Sequence, residues 1–394
     1  MRILYLTAAT FSAANAAALR NVGLASAMAL SGHEVIIATP DDPTVDAREQ
    51  WAASYPRGVT VVHAGLKAPG HSAGKRIVSF CGGSHGDLGA LLEDWAPDLV
   101  ILYQSFLPLL ARLRAATSRR GTPLVLDITE WYDGASLPLG VLGPHNALNQ
   151  ISMRLAVPRM PATIAISHPL AAHCARRGAR TIVVPPLFDV TRHAPDSAVG
   201  LPSRDPRLTI AVTGSGITPG HKDRLALLSM ASVARRIDPE GKRLSIKVAG
   251  PSRDAVARQL GGSLPAAFDI LGGLSWSDSL DLVSSADFTL LLRDPSNRRA
   301  VFGFPSKVPE SLLLGTPILG NAIGDLDRYL AEGRNAALVD FPDATGLEMT
   351  LRRVMEDDAA WSRASIRAEA ERNFSPECYA RPLDEFLTGE LSAA

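Results

Sequence analysis

Cysteine is scarce: Cys81, Cys174 and Cys378 are the only three in 394 residues, and no two stand in a C-x-x-C spacing. That excludes a disulfide framework and a cysteine-based metal site, fits a reducing compartment, and leaves each thiol to be expected as a small buried hydrophobe. Net charge is missing as well, with forty Lys plus Arg against forty Asp plus Glu. Nothing global therefore argues for nucleic acid, which asks for a clustered basic surface. No apolar run reaches the roughly 18 residues of a membrane span. The longest, Leu99 to Leu113, is broken by Gln104, Ser105, Pro108 and Arg112. Met1-Arg2 followed by an Ala-rich segment superficially resembles a leader peptide, but Ile3 to Leu6 is shorter than the roughly 7 to 15 apolar residues such a leader needs and reads as a first strand. No G-x-G-x-x-G follows Leu6 or Thr213, which argues against a nicotinamide enzyme. The nine histidines show no H-x-x-x-H spacing, so neither a metal nor another cofactor is expected.

What is present is alternation. Ile3 to Leu6 is a short apolar run, Ala16 to Leu30 carries Leu19, Val22, Leu24 and Met28 at helical spacing before Gly32, and Glu34 to Ala38 is apolar again. Strand, helix, glycine stop and strand within about 40 residues is a βαβ unit of a parallel sheet. The pattern continues through Val59 to Val62, Asp98 to Tyr103, Leu124 to Ile128, Thr163 to Ser167 and Thr181 to Pro185. Around Val190 to Arg207 the chain turns polar, with Pro195, Pro202 and Pro206 and no periodicity, which is linker composition. Alternation then restarts with Leu208 to Thr213, a helix from Lys222 to Ile237, and further pairs ending in a helix at Lys307 to Leu314, a strand at Ile318, a helix at Leu326 to Glu332 and a strand at Ala337. Residues 1–192 carry 17 Lys plus Arg against 13 Asp plus Glu, and the remainder 23 against 27. The first half is thus slightly basic, which suits an anionic surface or a phosphorylated acceptor but equally describes ordinary solvated charge. Two doubly wound halves would bring their strand C-termini and ligand loops to one cleft.

Three segments carry chemistry. In Phe302-Gly303-Phe304-Pro305-Ser306-Lys307-Val308-Pro309-Glu310, Ser306 is placed to cap a helix, Lys307 sits in its first turn and Glu310 one turn in, with Gly315 and Pro317 ending it. Free helical N–H groups beside a lysine suit phosphate, and a carboxylate there suits hydroxyls such as those of a ribose. An ordinary capped helix with an acidic first turn is the plainer alternative. Gly214-Ser215-Gly216 through His221-Lys222-Asp223 follows a strand and opens a helix, bringing amides and Lys222 to a pyrophosphate, although Lys222 alone reads equally well as a solvated lysine. Asp127-Ile128-Thr129-Glu130-Trp131-Tyr132-Asp133 puts three acids and two aromatics at a strand end, where Trp131 either faces a ligand or fills core.

The order of these features resembles the retaining nucleotide-sugar glycosyltransferases of family 4, which have the GT-B fold. The resemblance runs along nearly the whole chain, through Leu30-Ser31-Gly32-His33-Glu34-Val35, Ala165-Ile166-Ser167, Val184-Pro185-Pro186, Pro219-Gly220-His221-Lys222-Asp223, Val248-Ala249-Gly250-Pro251, Ser284-Ser285-Ala286-Asp287 and the Pro305-Ser306-Lys307 to Gly315-Thr316-Pro317 run. It implies an α/β protein of two Rossmann-like doubly wound domains facing across a cleft. Residues 1–192 would bind the acceptor, residues 193–374 the nucleotide-sugar donor, and residues 375–394 would cross back as a helix to the first domain. Lys222 would meet the donor diphosphate and Glu310 the ribose, with Gly216, His221, Gly250, Ser306 and Lys307 also on the donor side. Relatives carry a further acid eight positions before Glu310, where this chain has Phe302. They also place a basic partner beside the lysine, a role open to Arg293 or Lys307. Glu130, supported by Asp127, would contact the reacting sugar or the acceptor hydroxyl. Ser12 or Asn15 would be the polar contact of the opening loop, with Trp131 on the same acceptor side.

The resemblance implies metal-independent transfer from a nucleotide-diphosphate sugar, UDP favoured, to a hydroxyl of a glycan, lipid-linked saccharide or secondary metabolite, in a cytoplasmic protein with room for peripheral membrane contact through its first domain. A non-hydrolysing sugar-nucleotide epimerase is the enzymatic alternative. A catalytically weak nucleotide-sugar-binding partner subunit is the other, with Phe302 as its best argument.

Overall fold

The computed structural model describes residues 1–7, 15–39, 57–63, 88–104, 107–132, 134, 140–189, 205–214, 223–356 and 361–391. The chain divides into two compact units. One comprises Met1–Phe188 with Ser375–Ala394, the other Asp189–Phe374.

The first unit holds a seven-stranded parallel sheet of β1 (Arg2–Leu6), β2 (Glu34–Thr39), β3 (Val59–His63), β4 (Leu99–Tyr103), β5 (Leu124–Ile128), β6 (Ala162–Ala165) and β7 (Arg180–Val183), in the order β3-β2-β1-β4-β5-β6-β7. β1, β4, β5 and β6 are apolar almost end to end because helices cover both faces of a parallel sheet. Asn15 caps the helix Ala16–Leu30 by accepting a hydrogen bond from the Ala17 N–H. That helix packs against the final helix, Pro376–Leu391, whose Leu383, Phe386 and Leu387 join Ile3, Tyr5 and Ile101 in one core. Gly23 allows the close approach of the segment before the second unit: a Cβ there would lie 2.5 Å from the Leu187 carbonyl oxygen.

The second unit repeats the plan with six parallel strands, β8 (Leu208–Thr213), β9 (Leu244–Ala249), β10 (Phe268–Gly272), β11 (Phe288–Leu291), β12 (Ile318–Gly320) and β13 (Ala336–Leu338), ordered β10-β9-β8-β11-β12-β13. Its core gathers Ile210, Met230, Ile246, Phe288 and Leu319. In each sheet the strand order reverses once, between β1 and β4 and between β8 and β11, which is where doubly wound sheets open a crevice at their strand C-termini.

Several local expectations differ from the structure. The helix expected over Leu326 to Glu332 is only the 3-10 turn Leu326–Arg328. The final helix, Pro376–Leu391, runs on through Pro382. Of the thiols, Cys174 is buried and its thiol is pushed up to about 12 by that burial, whereas Cys378 is exposed and not a core residue. Cys81 lies outside the described residues.

Candidate functional site

In the second unit, three charged side chains converge where the strand order reverses. β8 runs out at Gly214, whose φ of +149° suits glycine, and a Cβ there would sit 2.6 Å from Asp223 Oδ2 and 2.9 Å from Lys307 Nζ. The chain therefore needs a glycine here both for conformation and to let a carboxylate and an ammonium reach the strand end. Asp223 precedes the helix Arg224–Ile237 but does not cap it. Its Oδ1 instead accepts from Lys307 Nζ at 2.8 Å and lies 3.0 Å from Arg293 NH1. Arg293 follows β11 and is nearly fully buried. Its backbone is fixed by Asn321, whose Oδ1 accepts from the Arg293 N–H at 2.8 Å and whose Nδ2 donates to the Arg293 carbonyl at 3.0 Å. Two cations face one carboxylate at this strand end, an arrangement suited to an anion.

Lys307 opens the short helix Lys307–Leu313. Val308, Leu312 and Leu313 bury one face of it, and the Ser311 hydroxyl donates to Thr289 Oγ1 on β11 at 2.7 Å. The helix stops at Gly315, where φ is +75° and a Cβ would lie 2.8 Å from the Arg363 carbonyl oxygen. Ser306 occupies the capping position, but it is itself helical and its side chain makes no capping bond. The expected cap is thus corrected: the hydroxyl serves Glu310 instead. Burial raises the Glu310 carboxyl to about 7, against the pull of the Ser306 hydroxyl and the Lys307 charge. A carboxyl that titrates near neutrality one turn from a lysine is an unusual group to keep for structure alone. Gly250 ends β9 with φ +117°, its N–H donating to the Gly272 carbonyl at 2.6 Å. Lys222, His221 and Gly216 lie outside the described residues.

In the first unit, Asp127 on β5 is fully buried. It accepts from the Tyr5 hydroxyl at 2.5 Å and from Arg20 NH2 at 2.9 Å, while Arg20 NH1 donates to the carbonyls of Val184 at 2.5 Å and Pro185 at 2.8 Å. The expectation that Asp127 stands at the reacting groups is corrected, because a closed ion pair in the core ties the first helix to the Val184-Pro185 segment and leaves no oxygen facing solvent. Trp131 is corrected likewise: it is buried, its indole N–H donating to Gln150 Oε1 at 3.3 Å and its ring 4.4 Å from that of His173. Asn15 spends its side chain on the helix cap, and Ser12 lies outside the described residues. Glu130 is half-buried at the end of β5. Beside it, Gln104 takes a left-handed φ of +63° and donates to Thr129 Oγ1 at 2.7 Å, and Thr129 donates to the Tyr103 hydroxyl at 3.1 Å. No sequence signal marks Gln104, and the partners of Asp223 and Asn321 are equally invisible in the sequence because their contacts span 28 to 84 positions. Of the Asp-x-Asp pair, the buried Asp325 precedes the 3-10 turn Leu326–Arg328 and Asp327 lies within it, and no group of three potential metal ligands occurs among the described residues.

Residues 16–187 match the model of the glycosyl transferase 4-like domain. The first unit thus carries a glycosyl transferase 4-like domain. No curated protein sequence matches the chain. Among solved structures, the chain is similar along 99% of its length to all of HepE of Anabaena in complex with UDP and glucose (15% identity, TM-score 0.70). It is similar along its whole length to all of the sucrose-phosphate synthase of Thermosynechococcus elongatus (14%, 0.72). It matches likewise 99% of the catalytic domain of starch synthase IV of Arabidopsis thaliana bound to ADP and acarbose (12%, 0.70). At such identities the likeness establishes the GT-B fold. Among the described residues, no helix is long and apolar enough to cross a membrane.

Proposed function

We propose that the enzyme moves a sugar from a nucleotide-diphosphate donor, UDP-linked by preference, to an acceptor hydroxyl with retention of anomeric configuration and without a metal. The observation that carries this reading is the convergence of Arg293, Lys307 and Asp223 at the β8–β11 reversal, one helical turn from a Glu310 poised to ionise near neutrality. The structural neighbours crystallised with UDP or ADP support a nucleotide donor. Lys307 and Arg293, joined by Lys222, would hold the diphosphate and stabilise its charge as the bond to the sugar breaks, and Glu310 would accept hydrogen bonds from the ribose. Catalysis is then mainly positioning: the acceptor hydroxyl attacks from the face that the diphosphate leaves, with Glu130 as the first unit's contact to the acceptor. The acceptor class is a glycan, lipid-linked saccharide or secondary metabolite.

Thermal shifts of the purified protein with UDP, GDP, dTDP and ADP sugars, alongside Lys307→Gln, test the donor site. Stabilisation by one nucleotide class that the variant loses is expected, and no shift with any of them would sink the reading. Phe302, at the position of the acid that relatives carry, favours a second reading as a nucleotide-sugar-binding partner subunit. Slow hydrolysis of the bound donor would count against that alternative.

A further inference from the structure

Between Asp133 and Asp189 the sequence holds no Asp, no Glu and no Lys but five arginines. Within this stretch the chain leaves the first sheet after β5 and returns to it at β6 through a helical excursion: the 3-10 turn Gly140–Leu142, the helix Pro144–Ile151, the π turn Ser152–Ala156 and the 3-10 turn Val157–Arg159. The excursion presents hydrocarbon to solvent. Leu142 is 97% exposed and Val141 is exposed beside it, while Ile151 and Leu155, four residues apart on one helical face, are both about half exposed. Four large aliphatic side chains standing out on one short segment are not explained by packing within the unit.

The charge around them has one sign. Arg154 and Arg159 are exposed on the same excursion, and the 3-10 turn Ala175–Arg177, which packs against Val157–Arg159, adds the exposed Arg176 and Arg177. Exposed aliphatics interspersed with arginines and no acid form the composition of a surface that lies in a lipid headgroup layer, hydrocarbon inserted and guanidinium groups on phosphate. A protein partner would fit less well: protein-binding hot spots are rich in Trp and Tyr, and residues 140–180 contain no aromatic.

We propose that this excursion docks the first unit onto an anionic lipid bilayer, with Leu142, Val141, Ile151 and Leu155 inserted at the headgroup boundary and Arg154, Arg159, Arg176 and Arg177 on the lipid phosphates. The docking is independent of the donor site in the second unit and would bring the enzyme to acceptors carried in the membrane.

Flotation of the full-length protein with vesicles tests it. Vesicles of phosphatidylcholine and phosphatidylglycerol in equal parts should carry the protein, vesicles of phosphatidylcholine alone should not, and added salt should weaken the binding. Leu142→Asp and the double variant Arg176→Gln, Arg177→Gln should each lower the bound fraction about tenfold, the order expected when one buried aliphatic or a pair of surface cations is lost. Unchanged melting temperatures would show that these exposed positions do not support the fold, and unchanged donor-induced thermal shifts would separate this surface from the donor site. No flotation with anionic vesicles overturns the proposal and leaves an acidic protein as the partner of the same residues. Equal flotation of wild type and variants overturns it too.

Discussion

Replacing Glu310 by Gln separates the stability of the second unit from its ligand chemistry. The folded carboxyl titrates at about 7 because burial disfavours its charge, against an ordinary value of 4.5. In the unfolded chain the proton leaves near 4.5, while the folded chain holds it to about 7. The native state therefore binds more protons across that window, and stability falls as pH rises from 4.5 to 7 and is level above. A gap of about two and a half pH units corresponds to at most about 3 kcal/mol, of which about 2 kcal/mol is lost between about pH 5.5 and about pH 8. Glu310→Gln keeps the shape and the Ser306 contact but cannot ionise, so it should be the more stable protein at the higher pH and lack that slope. Urea denaturation of both proteins at the two pH values measures it. Donor binding should move the other way. If ribose hydroxyls need the ionised carboxylate, about one tenth of the protein is competent at about pH 6 and nine tenths at about pH 8, so wild-type affinity should rise about tenfold while the variant's stays low and flat. Identical pH dependence of stability in the two proteins would refute the argument from burial, and a donor affinity untouched by the variant would remove Glu310 from the site.

Other consequences are open to measurement. Lys307→Gln should weaken donor affinity about tenfold or more, the usual worth of a charge-assisted hydrogen bond to phosphate, and calorimetry showing unchanged affinity would take Lys307 out of the donor site. Asp127→Asn strands the Arg20 guanidinium in the core and should cost the first unit about 3–5 kcal/mol in urea titrations, and a loss under about 1 kcal/mol would contradict the closed ion pair. Gly320→Ala would push a Cβ to 1.9 Å from the Leu291 carbonyl oxygen, so a destabilisation beyond about 3 kcal/mol or insoluble expression is expected, and a normal melting curve would contradict the strand spacing. Burial and the N-terminal ammonium hold the His33 imidazole below its ordinary 6.5 against the pull of Asp384. The unfolded chain takes up that proton first, so stability should fall as pH drops below about 6.5, and His33→Gln should remove that slope in urea midpoints.

The strands were legible because a parallel strand covered on both faces is a continuous apolar run: Leu99 to Tyr103 and Leu124 to Ile128 stand out as such in the sequence and lie in the sheet. The helix at Lys307 was legible for another local reason, since Gly315 and Pro317 end it whatever surrounds it. Ser306 shows where local reasoning stops. Its residue type suits a cap, yet a partly buried carboxyl one turn on claims its hydroxyl. Asp127 and Trp131 fail for a related reason, because an acid or an indole at a strand end reads alike whether it faces a ligand or the core.

By itself the sequence determined the alternation of elements, the linker composition near 190–207 and the family resemblance, all of which rest on residues close together in the chain. Only the tertiary structure decided which charges neutralise one another. It closed Asp127 on Arg20 across 107 positions and gathered Asp223, Arg293 and Lys307 at one strand-end reversal across 84. It also raised the Glu310 carboxyl toward neutrality by burial. Burial and charge pairing are properties of residues distant in sequence, and folding is what sets their separation.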